Sequence, residues 1–165
     1  MKRALLCSLT AVLVLSLATP AQARFGIGTW LWLSSGGSGW VAGVHNLAGS
    51  DQVVPEVVRT VAAGHGVVFD LRWKTWSNPS TMNAVRGCDG SARFDVRYLL
   101  ETVNGDRDIT DQMTGETGFP VRVHGIAAVR IRMAVRVSPD ARSGAKLRCR
   151  VVSINDRIRP LVVVR

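Results

Sequence analysis

The nine residues VRIRMAVRV, positions 129–137, decide the fold class of this chain. Every second residue from Val129 to Val137 is apolar, and the positions between them include three arginines: Arg130, Arg132 and Arg136. A period of two places one set of side chains on each face of a β-strand, whereas a helix would need a period near 3.6. The stretch therefore predicts a strand with one buried and one wet face.

The same alternation recurs along the chain, as in VVFDLRWK at positions 67–74 and RFDVRY at 93–98. Further strands are predicted at 53–61, 83–88, 147–154 and 158–164, and turn-forming residues such as Asp89-Gly90 and Asn104-Gly105 separate them. No sustained helical pattern occurs after the N-terminal segment. About seven short strands predict an all-β antiparallel sandwich.

The N-terminal segment, positions 1–23, differs from the rest. A cationic start at Lys2-Arg3 precedes an apolar run of about 15 residues and the small-residue end AQA at 21–23. A membrane anchor is the alternative, but a spanning helix needs roughly 20 apolar residues. Residues 1–23 are therefore predicted to be a signal peptide, so that the mature protein is secreted or held at the cell surface without a membrane span.

Residues 24–39 form a leader segment that is rich in Gly and Ser and carries Trp30 and Trp32. We expect an added edge strand or a partly ordered tail. The alternative is that the two tryptophans are exposed anchors for a partner or a sugar, because aromatic side chains offer a large contact area. The main domain is expected to span residues 40–165.

Removal of the predicted signal peptide leaves two of the three cysteines, Cys88 and Cys149. An even pair in an exported chain predicts one disulfide, with two buried free thiols as the alternative.

The whole chain has a net charge of +9, and the mature part keeps 19 basic against 12 acidic residues. Arg130, Arg132 and Arg136 share one strand face, and Arg148 and Arg150 alternate in the same way on a later predicted strand. If these two strands paired as a hairpin, the arginines would form one polyanion-binding face. The alternative is an ordinary solvated strand face. Aromatic residues do not interleave with the arginines, so nucleic acid is not an expected partner.

Motifs for catalysis are missing from the sequence. The chain has no G-x-S-x-G elbow and no phosphate-binding loop, and His45, His65 and His124 lack the spacing of metal ligands. Four carboxylates between Asp106 and Glu116 leave calcium as an alternative, although their spacing does not match an EF-hand loop. We expect no catalytic residues, no metal and no cofactor.

Residues 40–165 resemble the immunoglobulin-like β-sandwich repeats of large bacterial secreted and surface proteins, of the adhesion type. The stretches that carry the resemblance are GWVAGVHNLAGSDQ (39–52), AAGHGVVFDLRW (62–73), SARFDVRYL (91–99), DITDQMTGE (108–116) and VRIRMAVRVSPDARSGAKL (129–147). The resemblance implies an immunoglobulin-like fold and a non-enzymatic adhesive or spacer role.

Together these features predict a secreted, monomeric, non-catalytic module that binds a cell-envelope polymer or a surface protein. The competing hypothesis is a small secreted enzyme or inhibitor with a site in the loops between Trp30 and Trp40.

Overall fold

A computed structural model describes residues 29–36, 39–45, 54–75, 83–121, 128–153 and 156–165. The predicted signal peptide lies outside these residues. The described part contains one short helix, α1 (Thr110–Thr114), and thirteen strands. These strands are β1 (Thr29–Ser34), β2 (Val41–Ala42), β3 (Val44–His45), β4 (Glu56–Val61), β5 (Gly66–Thr75), β6 (Asn83–Val85), β7 (Phe94–Thr102), β8 (Gly105–Asp108), β9 (Phe119–Val121), β10 (Ala128–Val137), β11 (Lys146–Arg148), β12 (Val151–Val152) and β13 (Asp156–Val164).

The first sheet has six antiparallel strands in the order β2-β1-β5-β10-β7-β8. Its centre is β10, the strand that contains VRIRMAVRV, which pairs with β5 on one side and β7 on the other. Ile131, Met133 and Val135 are at most 2% exposed, whereas the arginines between them lie on the other face. The alternating pattern thus gives the half-buried strand that the sequence predicts.

The second sheet is built around β13. β11 and β12 run antiparallel along one of its edges, β3 is antiparallel to it at Asp156 and Arg157, and β4 pairs with it in parallel. A small third sheet joins β6 and β9. The all-β sandwich prediction is confirmed, but the described residues form thirteen strands where about seven were predicted, because several pairings involve only two or three residues. The parallel β4–β13 pair departs from a purely antiparallel arrangement, because the chain between these two strands builds most of the first sheet before it returns.

The core lies between the two sheets. Its largest fully buried side chains include Phe69 and Trp73 of β5 and Tyr98 of β7, and Ile158 and Val162 of β13 belong to the same apolar cluster. Burial of apolar area is the dominant favourable term in folding, so this single cluster holds the sheets together.

Part of the leader segment belongs to the sandwich. Strand β1 pairs with β5 along its whole length and with the two-residue strand β2 on its other side, and Leu31 and Leu33 are 1% and 0% exposed. At its end, Arg59 of β4 reaches across from the second sheet and donates hydrogen bonds to the carbonyl oxygens of Ser35 and Gly36, the latter at 3.0 Å. The described part of the leader is therefore a core strand that contacts both sheets, and not a tail.

Candidate functional site

The five predicted polyanion-binding arginines lie on two different sheets. Arg130, Arg132 and Arg136 are on β10 in the first sheet, whereas Arg148 ends β11 and Arg150 follows it in the second. The predicted hairpin between these strands is wrong, since both edges of β10 are occupied by β5 and β7, and β11 pairs with β13. The structure therefore splits the predicted basic face in two.

The outer face of the first sheet carries equal numbers of described positive and negative side chains. By register and alternation, its described charged side chains are five arginines and five carboxylates: Arg72, Arg97, Arg130, Arg132, Arg136, Asp70, Asp95, Glu101, Asp106 and Asp108. Arg97 pairs with Asp95 at 3.5 Å and Arg130 with Glu101 at 3.7 Å, and Arg132 forms a hydrogen-bonded ion pair with Asp106. The hydrogen bond to Asp106 is the main cause that raises the pKa of the Arg132 guanidinium. This face largely neutralises its own charge.

The outer face of the second sheet is basic. The register that pairs Arg148 with Leu161 and Val151 with Ile158 is continuous, so Arg150 lies opposite Arg159. We call five outward cations the basic face: Lys146, Arg148, Arg150, Arg157 and Arg159. Glu56 is the one carboxylate among the described outward side chains of β4, β11, β12 and β13, and Arg148 Nε lies 3.2 Å from its Oε1.

A buried leucine, Leu161, lies next to Arg148 on this face. Leu161 is only 6% exposed, yet it does not belong to the core cluster between the sheets. Leu161 lies on the outer side of β13, between Arg148 of β11 and Val58 of β4. We attribute its burial to the apolar stems of neighbouring long side chains, which cover such surface while their charged ends stay in water.

The structure confirms the disulfide between Cys88 and Cys149, whose Cα atoms are 5.4 Å apart. Cys149 is held in the second sheet by its N–H, which donates to the carbonyl of Pro160 at 2.9 Å. Cys88 is held to the first sheet by Tyr98 of β7: the Cys88 N–H donates to the Tyr98 hydroxyl at 2.8 Å, and the hydroxyl donates to the Cys88 carbonyl at 3.3 Å. The bond therefore links the two sheets through Tyr98. A disulfide is typical of proteins that fold in an oxidising compartment.

Burial explains the strongest pKa shift in the described residues. Desolvation raises the pKa of Tyr98 from 10.0 to about 12, opposed by the hydrogen bond from the Cys88 backbone and reinforced by the nearby charge of Asp89. The ring is also tightly enclosed, since a Cβ on Gly87 would collide with its Cζ atom. Tyr98 is thus a structural residue at the junction of the two sheets.

The carboxylates near the β7–β8 hairpin have protein partners. Asp108 Oδ1 accepts hydrogen bonds from Thr110 Oγ1 at 2.6 Å and from its N–H at 2.9 Å, which lowers the pKa of Asp108. Asp106 pairs with Arg132. Within the described ranges, no group of three or more His, Cys, Asp or Glu side chains could hold a metal ion. His65 is exposed, His124 lies outside the described residues, and the side chain of His45 is not described.

An aromatic and cationic group that sequence analysis did not assemble lies at the β2-β1-β5 end of the first sheet. Arg72 stacks on the ring of Trp40 with its Cζ atom 5.2 Å from the centroid, and it lies opposite the half-buried Trp32 of β1. We call Trp32, Trp40 and Arg72 the tryptophan–arginine strip. No spacing in the sequence reveals it, since β5 meets β1 only through the pairing of distant segments.

None of the described residues belongs to a helix that is long and apolar enough to cross a membrane. No protein-family model matches the sequence, and no curated protein matches it. Among solved structures, the chain is similar to a family 123 glycoside hydrolase from Clostridium perfringens, with a TM-score of 0.44 and 9% identity. That match covers 68% of this chain and 23% of the hydrolase chain, and a likeness at this level carries no conclusion about activity.

Proposed function

We propose that this protein is an exported, non-catalytic sandwich module of the immunoglobulin-like type, which binds an anionic polymer of the cell envelope through its basic face. The observation that carries the proposal is the excess of positive charge on that face, which has five cations and one carboxylate among its described outward side chains. Clustered cations on one sheet face attract polyanions over long range and release their counterions on binding.

The arrangement of two cations supports this reading. Arg150 and Arg159 lie opposite each other on neighbouring strands, and neither has an ion pair among the described residues. Like charges directly opposite in a sheet destabilise it. A phosphate or carboxylate group of a bound polymer would bridge the two guanidinium groups, and arginine suits this role because its planar donors bind such anions in pairs.

The positions of the residues with shifted pKa values support a non-catalytic role. Asp108 and Asp140 each have a lowered pKa because of hydrogen bonds from hydroxyl groups nearby, those of Thr110 and Ser138. Tyr98 is enclosed beside the disulfide. These groups lie apart, at a helix start, a turn and the sheet junction. A catalytic site would instead gather such groups around one substrate position.

The competing hypothesis placed an enzymatic or inhibitory site between Trp30 and Trp40. The described residues there, 30–36, 39 and 40, contain no acid, base, histidine or cysteine side chain, and their two serines, Ser34 and Ser35, are buried. General acid–base or nucleophilic chemistry needs such groups. The segment therefore favours structure and binding over catalysis.

The test is co-sedimentation of the mature chain, residues 24–165, with purified cell walls across a salt series. We expect binding to weaken steeply with salt, and the double variant R150Q/R159Q to lower the salt slope by about two, since each phosphate-binding cation contributes roughly one. The matched control R97Q/R136Q removes the same charge from the outer face of the first sheet and should keep the slope within about half a unit of the parent. Equal losses in both variants would show that net charge alone acts, and would overturn the proposal.

A further inference from the structure

The tryptophan–arginine strip lies on the outer face of the first sheet, which is the opposite side of the sandwich from the basic face. Trp40 is 46% exposed although it is one of the largest apolar side chains in the protein. By extension of the β1–β2 register it faces Ser34, whose small side chain leaves room for the indole to reach Arg72 across the strand. An exposed indole that is fixed by a cation on the surface of a sheet is a preformed contact platform.

The cation of the strip has no anionic partner of its own. Arg72 lies directly opposite Arg130 in the β5–β10 pairing, and Arg130 is the one that pairs with Glu101. In the described part of the chain, Arg72 contacts the Trp40 ring but forms no ion pair, and its Nε atom is buried without a hydrogen-bond acceptor. The unpaired guanidinium charge beside an exposed indole points to an anionic ligand.

A carboxylate completes the polar surroundings. Asp70 lies two residues from Arg72 on the same face, opposite Ser34 on one side and Arg132 on the other. It is half-buried, and Arg132 directs its hydrogen bond to Asp106 instead. Asp70 is therefore a hydrogen-bond acceptor on the same sheet face as the strip, to which a neutral polar ligand group such as a hydroxyl would donate.

We propose that the tryptophan–arginine strip binds an acidic sugar, namely a pyranose ring that carries a carboxylate. The C–H face of the ring would stack on Trp40, the carboxylate would lie against Arg72, and a ring hydroxyl would donate to Asp70. An indole and a bidentate guanidinium are the groups that these two parts of a uronic acid require. This site does not rest on the proposed function of the basic face.

A nucleic acid would use the same kinds of groups, because bases also stack on aromatic rings. The strip favours the sugar. Proteins that bind single-stranded nucleic acid place several aromatic rings along a positively charged groove. Here the neighbouring arginines on β10, Arg130 and Arg132, are paired with Glu101 and Asp106. One exposed indole, that of Trp40, and one unpaired cation, Arg72, suit a single sugar residue.

The test is isothermal titration of the mature chain with a hexamer of galacturonic acid, compared with the same hexamer as its methyl ester. We expect the acid to bind and the ester, which keeps the rings but loses the charges, to bind at least tenfold more weakly. W40A and R72Q should each weaken binding of the acid at least tenfold. W40Y keeps an aromatic face and should recover most of the affinity, which separates loss of stacking from loss of folding.

Matched controls separate this site from the basic face. R136Q removes one arginine from the far end of the same sheet face and should change the affinity less than twofold. The losses caused by W40A and R72Q should persist in an R150Q/R159Q background, in which the basic face binds polyanions less. Equal binding of acid and ester, or full affinity in R72Q, would overturn the proposal. So would tighter binding of a single-stranded oligonucleotide that depends on Trp40 and Arg72, because the ligand class would then be nucleic acid.

Discussion

The two outer faces of the sandwich use the same alternation of arginines and reach opposite electrostatic results. On β10, Arg130 and Arg132 meet carboxylates that come from β7 and β8. On the edge formed by β11 and β12, Arg148 and Arg150 meet β13, which adds Arg157 and Arg159 to the same face. The charge of a sheet face is therefore decided by which strands become neighbours, and not by the pattern within one strand.

The difference suggests different roles for the two faces. Cross-strand pairs of opposite charge contribute a little stability, and pairs of like charge cost a similar amount. The first sheet keeps its ion pairs, whereas the second sheet retains opposed arginines. In our proposal, the bound polymer supplies the missing negative charge on the basic face.

The largest expected effect comes from removing the disulfide that links the two sheets. Cys88 and Cys149 have a sequence separation of 61, and the chain-entropy account gives a bond that closes such a loop about 4 kcal/mol of stabilisation. C88S/C149S should therefore lower the free energy of unfolding by about that amount. Chemical denaturation followed by tryptophan fluorescence measures the change.

The control for this variant is the parent chain under reducing conditions, which should unfold at the same denaturant concentration as C88S/C149S. A transition that stays within about 1 kcal/mol of the oxidised parent would show that the sheets hold together without the bond. Two separate transitions would show instead that the sheets unfold independently once the bond is lost.

An intermediate loss of stability is expected at alkaline pH, because Tyr98 titrates beside the disulfide. The pKa of Tyr98 is about 12 in the folded chain against 10.0 in the unfolded chain, so between these values the folded protein holds a proton that the unfolded one has released. Stability is therefore full below pH 10 and falls as the pH rises from 10 to 12, by about 2–3 kcal/mol in total. Equilibrium denaturation at intervals of half a pH unit measures this slope.

Y98F is the matched variant, because it keeps the ring and removes the titrating hydroxyl. It should be less stable than the parent below pH 10, since the Cys88 N–H loses its acceptor, but its stability should depend much less on pH between 10 and 12. An equally steep alkaline loss in Y98F would assign the effect to other groups.

Much of the fold could be predicted from the sequence because its long strands are half-buried. The alternation in β5, β7 and β10 follows directly from one wet and one dry face. The predicted bounds of β5 and β10 are within one residue of the observed ones, whereas β7 continues four residues beyond the predicted end at Tyr98. The sequence pattern does not reveal β1, because the segment is rich in Gly and Ser and the residue between its buried leucines is also apolar. The burial of Leu31 and Leu33 depends on pairing with β5, a distant segment of the chain that no local pattern contains.

The site was less predictable for the same reason. The sequence singled out Arg148 and Arg150 correctly as outward residues, but their neighbours Arg157 and Arg159 join them only through the β13 pairing. The choice of β10 as their partner assumed that strands close in sequence pair with each other. Here β10 lies between β5 and β7, which precede it in the chain, so β11 pairs with β13 instead.

The smallest expected effects are changes in the free energy of unfolding when one arginine is removed from each face. They test the comparison of the two faces most directly, because the two changes should have opposite signs. R130Q breaks the exposed pair with Glu101 and should lower the free energy of unfolding by at most about 0.5 kcal/mol. R150Q relieves the repulsion with Arg159 and should raise that free energy by roughly 0.3 kcal/mol. Replicate denaturant titrations of both variants and the parent, run side by side in low salt, resolve the two signs.

High salt provides the internal control, since it shortens the Debye length from about 10 Å at 0.1 M to about 3 Å at 1 M. Both changes should then shrink towards zero, because each arises from exposed charges. If R130Q and R150Q shifted stability in the same direction at low salt, the contrast between a self-neutralised and a basic face would be wrong. If the two changes in unfolding free energy have opposite signs at low salt and both disappear at high salt, the arginines of the basic face repel each other in the folded protein.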